Sequence, residues 1–491
     1  MIRPRSLALA TLLLVSTTAC PKPRQEVPKT LPGPSNILLI TVDTLRADHL
    51  SSYGYARATS PTLDRLAKEG VRFANASVQW PKTTPSFASM MTATYGKDNG
   101  IVRKIGLAVP CQMKTLAERL KDQGYTTHAV VANGALGSEF AFNQGFDSYL
   151  EPWKMAHLPE GKDPVGAEVI TNLALSLADR IQQENGKPYL LWVHYLDPHT
   201  PYQPPGEDAH RFQNDEFWKG DVRIPIVAKE KQEMLAIGQK QVLEGRDELA
   251  FYVARYDAEI HHVDGYIDRL LDQLARRGLL NKTLTVFTSD HGESLGDHGY
   301  YFDHGRFGFQ TCVHVPLIVH YPGVLEPRVI TEPVELIHLA PTILEAAGVA
   351  LPDGAWMQGR TLSPRLFGNP PVTDEDGHVY AYTEAGYEIA NKWQKIVRDE
   401  RFKLIYAQTR PEQRWIGGEG VRFVLFDLQN DPAETKNVAD QFPEDLTRLK
   451  RKLALWDRAP AFNVYTDPQT CGGERAADKQ TIDLLKSLGY M

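Results

Sequence analysis

A chain of 491 residues is longer than one small core requires, so one large domain with an attached subdomain, or two domains, is expected. Its 42% hydrophobic and 23% charged residues are ordinary for a globular protein. A formal net charge of −7 argues against a nucleic-acid partner, while a local basic pocket for an anion can exist within that balance.

The chain opens like an export signal over residues 1–20. Arg3 and Arg5 precede the apolar run from Leu7 to Val15, which is too short to span a bilayer. Ser16-Thr17-Thr18-Ala19-Cys20 follows, and small residues before a cysteine resemble a bacterial lipobox with Cys20 as the lipidated residue. Thr17 stands where leucine is usual, and plain cleavage near Ala19 is the alternative. Either form places the protein outside the cytoplasm, in the cell envelope, and the first holds it to a membrane face through lipid on Cys20. Residues 21–35 carry Pro21, Pro23, Pro28, Pro32 and Pro34, the composition of a semi-extended tether. The remaining cysteines, Cys111, Cys312 and Cys471, allow at most one internal disulfide and leave one thiol over.

From residue 36 short apolar runs alternate with helical patterns, the mark of a sheet with crossover helices. The spacing predicts strands at Ile37 to Val42, Thr127 to Ala132, Tyr189 to His194, Thr283 to Thr288 and Pro316 to His320. Ser60 reads as a helix cap with Pro61 at the first helical position. Tyr252, Tyr256, Ile260, Val263, Ile267 and Leu271 fall on one helical face. Residues 205–245 are charged and irregular, then helical, and read as an insertion over a site or a surface excursion. After about residue 370 the pattern becomes that of antiparallel strands, at Lys395 to Arg398, Phe402 to Tyr406 and Val421 to Leu428. The expected organisation is therefore a main domain over 36–370 and a smaller subdomain over 371–491, packed as one unit.

Ligands in open α/β sheets bind beyond the carboxyl ends of the strands. Four predicted strands end in polar residues: Asp43, Asn133, the Asp197/His199 pair, and Asp290-His291. Each alone could be a turn residue, but four groups delivered to one edge point to a site.

Three segments carry a resemblance to a family. They are Asn36 through Asp48, Thr83-Thr84-Pro85-Ser86 within a helical run, and Ser289-Asp290-His291-Gly292-Glu293. With Tyr195-Leu196-Asp197-Pro198-His199-Thr200-Pro201-Tyr202, the phrase from Leu425 to Thr435 and the closing Leu484 to Tyr490, the chain from Asn36 onward resembles the sulfatase branch of the alkaline phosphatase superfamily. The resemblance implies an alkaline-phosphatase-like, doubly wound mixed sheet flanked by helices, with a smaller carboxyl-terminal antiparallel sheet. It also implies a metal-dependent ester hydrolase acting on an anionic ester of a glycan, lipid headgroup or small molecule.

One position departs from the family's pattern. Thr83 stands where a sulfatase carries the cysteine that is oxidised to formylglycine, and Phe87 replaces the arginine that supports that aldehyde. Threonine cannot become an aldehyde by that route, so the attacking group would be a hydroxyl activated by a metal. Thr84 is the neighbouring alternative. The resemblance assigns one divalent cation, Mn²⁺, Mg²⁺, Zn²⁺ or Ca²⁺, to Asp43, Asp290, His291 and the Thr83 oxygen. Thr44 replaces the family's frequent second aspartate, and no equivalent of the Asp-x-x-x-His pair of two-zinc phosphodiesterases appears. His199 would contact the ester oxygens, and His304 stands about where sulfatases place a lysine near the leaving oxygen, suiting a general acid. Asn133 resembles an asparagine that steadies a non-bridging oxygen in phosphodiesterase and phosphoglycerol-transferase relatives. His298 divides evenly between a supporting and a structural role, and His261 and His262 read as surface or core. The expected reaction is phosphoester cleavage or phosphoryl transfer through Thr83. A sulfuric ester hydrolase working without formylglycine is the second reading, and a non-catalytic envelope lipoprotein that binds an anionic headgroup is the third.

Overall fold

The computed structural model describes residues 31–33, 35–102, 106–156, 163–184, 186–213, 222–228, 236–351, 357–387, 392–407, 420–459, 473–488 and 490. The export signal, the tether through residue 30, and Cys471 lie outside the described residues.

Nine strands form the main sheet: β1 Asn36–Val42, β2 Val71–Ser77, β3 Thr126–Val131, β4 Ser148–Leu150, β5 Tyr189–Tyr195, β6 Thr283–Ser289, β7 His314–His320, β8 Arg328–Ile330 and β9 Val334–Glu335. Their spatial order is β8-β2-β7-β6-β1-β5-β3-β4, with β9 also pairing β2. β7 runs antiparallel to both its neighbours, while β6, β1, β5, β3 and β4 are parallel, so the sheet is mixed. The central strands read as continuous apolar runs because helices cover both faces. All of β5 and β6 is buried, as is β1 after its first residue.

Helices α1 Pro61–Glu69, α2 Thr83–Thr92, α3 Ala167–Gln182, α4 Leu249–Arg276 and α5 Leu339–Ala346 flank it. α4 packs on α1 and α3, and α2 packs on α5, which gives a helical layer on each side of one continuous core. A second, antiparallel sheet, β10 Ala381–Tyr387, β11 Lys392–Arg398, β12 Phe402–Ala407 and β13 Phe423–Asp427, is covered by α6 Pro443–Arg458. Tyr95 and Ile337 from the main body join its core, so the two sheets share buried surface. The last helix, α7 Lys479–Ser487, leaves this sheet and packs on the turns Gly134–Leu136 and Pro152–Lys154 beside the main sheet.

The predicted strands fall within three residues of the observed ones, and the α4 periodicity is real. β2 and β10 went unpredicted, since their mixed polar sequences, VRFANAS and AYTEAGY, hide the alternation. Pro61 does open α1, but Ser60 makes no capping bond to the backbone. Residues 205–245 contain no α-helix among the described residues, only 3-10 turns at Gly206–His210 and Gln239–Gln241 and two-residue strands. Cys111 is disulfide-bonded, and Cys312 is free and buried.

Candidate active site

β6, β1, β5 and β3 are adjacent and parallel, so their carboxyl ends open onto one edge. Asp43 directly follows β1, Asn133 closely follows β3, His199 lies in the loop after β5, and Asp290-His291 follows β6. All five are buried. The topology alone thus gathers residues 43, 133, 199, 290 and 291 from distant parts of the chain.

Asp43, Asp290 and His291 offer ligand atoms within 4.8 Å of one another. His291 Nε2 lies 3.3 Å from Asp290 Oδ2 and 3.8 Å from Asp43 Oδ1. His291 Nδ1 donates to the Gly292 carbonyl at 2.9 Å, so the neutral ring turns its Nε2 lone pair toward the two carboxylates. Gly292 is required here: a Cβ would fall 2.0 Å from the Thr311 carbonyl oxygen. Asp290 Oδ1 accepts from the backbone of His291 at 3.0 Å and of Thr44 at 3.4 Å. Thr44 reaches it in a left-handed conformation, φ 55°, and Tyr256 holds its carbonyl at 2.8 Å. Asp43 Oδ2 accepts from Asn133 Nδ2 at 2.6 Å.

Two oxygens remain, Asp43 Oδ1 and Asp290 Oδ2, both fully buried and with no hydrogen-bond partner among the described residues. Burial pushes the Asp43 carboxyl up to about 7. It also pushes Asp290 well up, aided by the charge of Asp43, and pushes His291 well down. Neighbouring buried carboxylates with unsatisfied oxygens are costly unless a cation sits between them. Hard oxygens with one imidazole fit a divalent metal. The side chains present therefore suit the implied ion.

Thr83 Oγ1 lies 3.3 Å from His291 Nε2, beside the carboxylate pair. Thr83 is the first residue of α2, and the cap position belongs to Lys82. Negative charge on Oγ1 is favoured at the positive end of this ten-residue helix. Ser86 Oγ donates to the Asp290 carbonyl at 2.6 Å and ties the helix to the Asp-His loop. The Thr84 hydroxyl donates to the Ala135 carbonyl at 3.1 Å.

His199 and His304 join the same cluster. Their rings are 5.6 Å apart, and the His304 ring is 4.1 Å from that of His291. His199 Nδ1 donates to the Thr200 carbonyl at 2.7 Å, and His304 Nδ1 faces Glu293 Oε1 at 3.1 Å. Asn133 also serves as the turn residue its position suggested: its Oδ1 accepts from Ala135 N at 2.9 Å. Asp197 does not accompany His199. Its carboxyl is held up at about 6 by burial, beside His262 and Glu259. His298 stacks on Phe309 at 3.9 Å, and His261 and His262 face Asp208.

Four residues of the cluster went unrecognised in the sequence. Glu293 is visible only as the end of the Asp-His-Gly-Glu run. His194 Nε2 is 3.8 Å from Asp43 Oδ2, and burial holds it down at about 3, so it is neutral. Lys82 is buried with its stem against Gly305, where a Cβ would lie 2.1 Å from Cε; Gly305 also has φ +88°. Tyr490 OH lies 3.1 Å from Thr83 Oγ1 and 2.9 Å from Asn133 Nδ2. Its only signal in the sequence was its place in the closing phrase.

Comparison with known proteins gives the family and the fold. The model of the family described as Sulfatase matches residues 35–349, and that of the N-sulphoglucosamine sulphohydrolase C-terminal region matches 296–457. An N-acetylglucosamine-6-O-sulfatase of Bacteroides thetaiotaomicron is 25% identical, over 88% of this chain and 87% of its own. A choline-sulfatase of Rhizobium meliloti is 27% identical, over 87% of each chain. Among solved structures, a phosphonate monoester hydrolase of Agrobacterium radiobacter superposes with a TM-score of 0.68 at 23% identity, over 90% of this chain and 100% of that one. A protein solved with its substrate D-glucosamine-2-N,6-O-disulfate gives 0.69 at 21% identity, over 87% and 99%.

Proposed function

Because the chain belongs to the sulfatase family and is an ester hydrolase of that family, we propose that it cleaves phosphate-type esters through a covalent intermediate on Thr83. One observation carries the reading. The Thr83 hydroxyl stands 3.3 Å from His291 Nε2, against two buried carboxylates whose free oxygens suit a cation. A divalent ion held by Asp43, Asp290 and His291 would supply Lewis acidity to that hydroxyl.

The protein's own groups account for the rest. Thr83 Oγ1 bonds to phosphorus as the ester P–O bond breaks; the proton Thr83 gives up is balanced by the one the leaving oxygen takes. The net step moves the phosphoryl group from the leaving alcohol to Thr83, and water then releases phosphate and restores the hydroxyl. His304, held through Nδ1 by Glu293, is the donor to the leaving oxygen, and His199 faces the ester oxygens. Cys20 carries the lipid that holds the enzyme in the envelope, outside the cytoplasm.

A sulfate ester is the second reading, favoured by the sulfatase names of the curated relatives. The two are separated by assaying purified protein on 4-nitrophenyl sulfate, phosphate, phenylphosphonate and bis-phosphate esters, with Mn²⁺, Mg²⁺, Zn²⁺ or Ca²⁺ added singly. The phosphorus esters are expected to turn over faster. A clear preference for the sulfate reverses the assignment.

A further inference from the structure

Thr83 Oγ1 lies closer to a side chain from the far end of the chain, 407 positions away, than to His291. The carboxyl-terminal segment is fixed where it crosses the rim of the site. Asp478 caps α7 through Thr481 N at 2.8 Å, and Trp153 Nε1 donates to Thr481 Oγ1 at 3.1 Å. Gly134 leaves the helix room: a Cβ there would press on Leu485, Thr481 and Leu484 at 3.3–3.4 Å. Tyr490 N then donates to the Leu485 carbonyl at 2.8 Å, and the ring stacks on His199 at 5.4 Å and 11°. The phenol is thus held from both ends, by its backbone and by a histidine of the site.

Hydrogen-bond direction along the cluster follows from the chemistry of each group. Asn133 Oδ1 accepts from Ala135 N, so Nδ2 is the edge that faces the site. Its two hydrogens go to Asp43 Oδ2 at 2.6 Å and to the Tyr490 oxygen at 2.9 Å. The Tyr490 oxygen is therefore an acceptor toward Asn133, and at 3.1 Å its proton is within reach of Thr83 Oγ1. On the other side, His291 Nδ1 keeps its proton on the Gly292 carbonyl, so Nε2 can only receive. Thr83 accepts from Tyr490, and its own proton is the one lost as Oγ1 attacks. Asn133, Tyr490 and Thr83 thus each have one consistent role.

We propose that Tyr490 is a catalytic residue: its phenol donates to Thr83 Oγ1 and stabilises the negative charge on that oxygen. The charge is present as Oγ1 attacks the ester and again when Oγ1 leaves during hydrolysis of the phosphothreonine. Tyr490 keeps its own proton throughout. The bonds that form and break are those between phosphorus and Oγ1, the leaving oxygen and water. This inference rests on Thr83 being the nucleophile. A fixed donor aimed at a developing oxyanion in a dry site typically contributes ~10²-fold to the rate.

The test uses the full-length, Mn²⁺-loaded protein and its Tyr490→Phe variant, which keeps the ring on His199 and removes only the hydroxyl. kcat is expected to fall ~50- to 100-fold with KM within about twofold. Quenched-flow mass spectrometry should show formation of the adduct on Thr83 slowed by the same factor. Calorimetric Mn²⁺ affinity and the melting temperature should match wild type, which separates a chemical role from a structural one. Adduct formation at the wild-type rate in Tyr490→Phe overturns the inference and leaves Thr83 as nucleophile. A rise in kcat/KM, in this variant or on deletion of residues 489–491, also overturns it, because the tail then only covers the site. No adduct on wild-type Thr83, with turnover surviving Thr83→Ala, removes the nucleophile reading and this inference together.

Discussion

Asn133 Nδ2 donates to Asp43 Oδ2 at 2.6 Å, and this bond decides which oxygen of Asp43 faces His291. The carboxylate is turned so that Oδ1, lacking any partner among the described residues, points into the cluster. An outer group that orients a metal ligand commonly changes affinity 10- to 100-fold. Asn133→Ala is therefore expected to weaken Mn²⁺ binding by ~10-fold or more, read by calorimetry. Asn133→Asp should be worse, since a third carboxylate replaces a donor. Equal affinity in all three proteins would mean that Asp43 is held some other way.

Asp43 and Asp290 are set against each other until a cation arrives. Burial raises both carboxyls, and the charge of Asp43 adds to the rise at Asp290. Asp290→Asn keeps the shape and removes one charge. The metal-free variant should melt higher than metal-free wild type, by ~1 °C for a gain of about 1 kcal/mol. The same variant should lose Mn²⁺ binding and turnover. A lower melting temperature without metal would show that Asp290 is satisfied by the protein alone.

The two adjacent threonines separate by where their oxygens point. Thr83 Oγ1 faces His291 and Tyr490, whereas Thr84 Oγ1 donates to the Ala135 carbonyl on the loop that follows Asn133. Thr83→Ala should lower kcat by ~10³-fold or more with the melting temperature nearly unchanged. Thr84→Ala should cost about 1 kcal/mol of stability and leave kcat within severalfold. Steady-state kinetics beside thermal melts check both, and a reversal of the two patterns would move the nucleophile to Thr84.

How much of this was legible in the sequence depends on the distance over which each feature is determined. β1, β5 and β6 were readable because a strand buried on both faces is a run of apolar residues, such as Ile37 to Val42. β2 was not, because polar Arg72, Asn75 and Ser77 interrupt its apolar residues, and Asn75 bonds to Thr331 and Arg398, far away in sequence. Asp43, Asn133, His199 and Asp290 were found because each follows a strand, and strand ends are local events. Asp197 shares that placement and still leaves the cluster, since the loop's path, not its composition, aims the carboxyl. Lys82 carries no local mark, and Tyr490 only its place in the closing phrase, which says nothing of where its hydroxyl goes. A buried lysine and a terminal tyrosine acquire meaning only when α2 and α7 are docked, and docking is set by the whole core.

Glu335, at the end of β9, is a charge buried between the two sheets. It accepts from Tyr95 OH at 2.9 and 3.0 Å and from Tyr382 N of β10 at 3.0 Å. Burial nonetheless pushes its carboxyl up from 4.5 to about 7. Below pH 4.5 the group is protonated whether the chain is folded or not, and its contribution to stability is complete. Between there and pH 7 the folded chain holds a proton that the unfolded chain has released, so stability falls as pH rises, by up to about 3 kcal/mol. Glu335→Gln cannot ionise, and its carbonyl oxygen can still accept from Tyr95 and Tyr382. The variant should be slightly less stable than wild type at pH 5 and more stable at pH 8, by roughly 2 kcal/mol. Urea titrations of both proteins at the two pH values measure the difference. Glu384, also held up at about 7, contributes equally to both proteins and cancels in that comparison. Parallel pH dependences for variant and wild type would mean that Glu335 is ionised in the folded chain at pH 5.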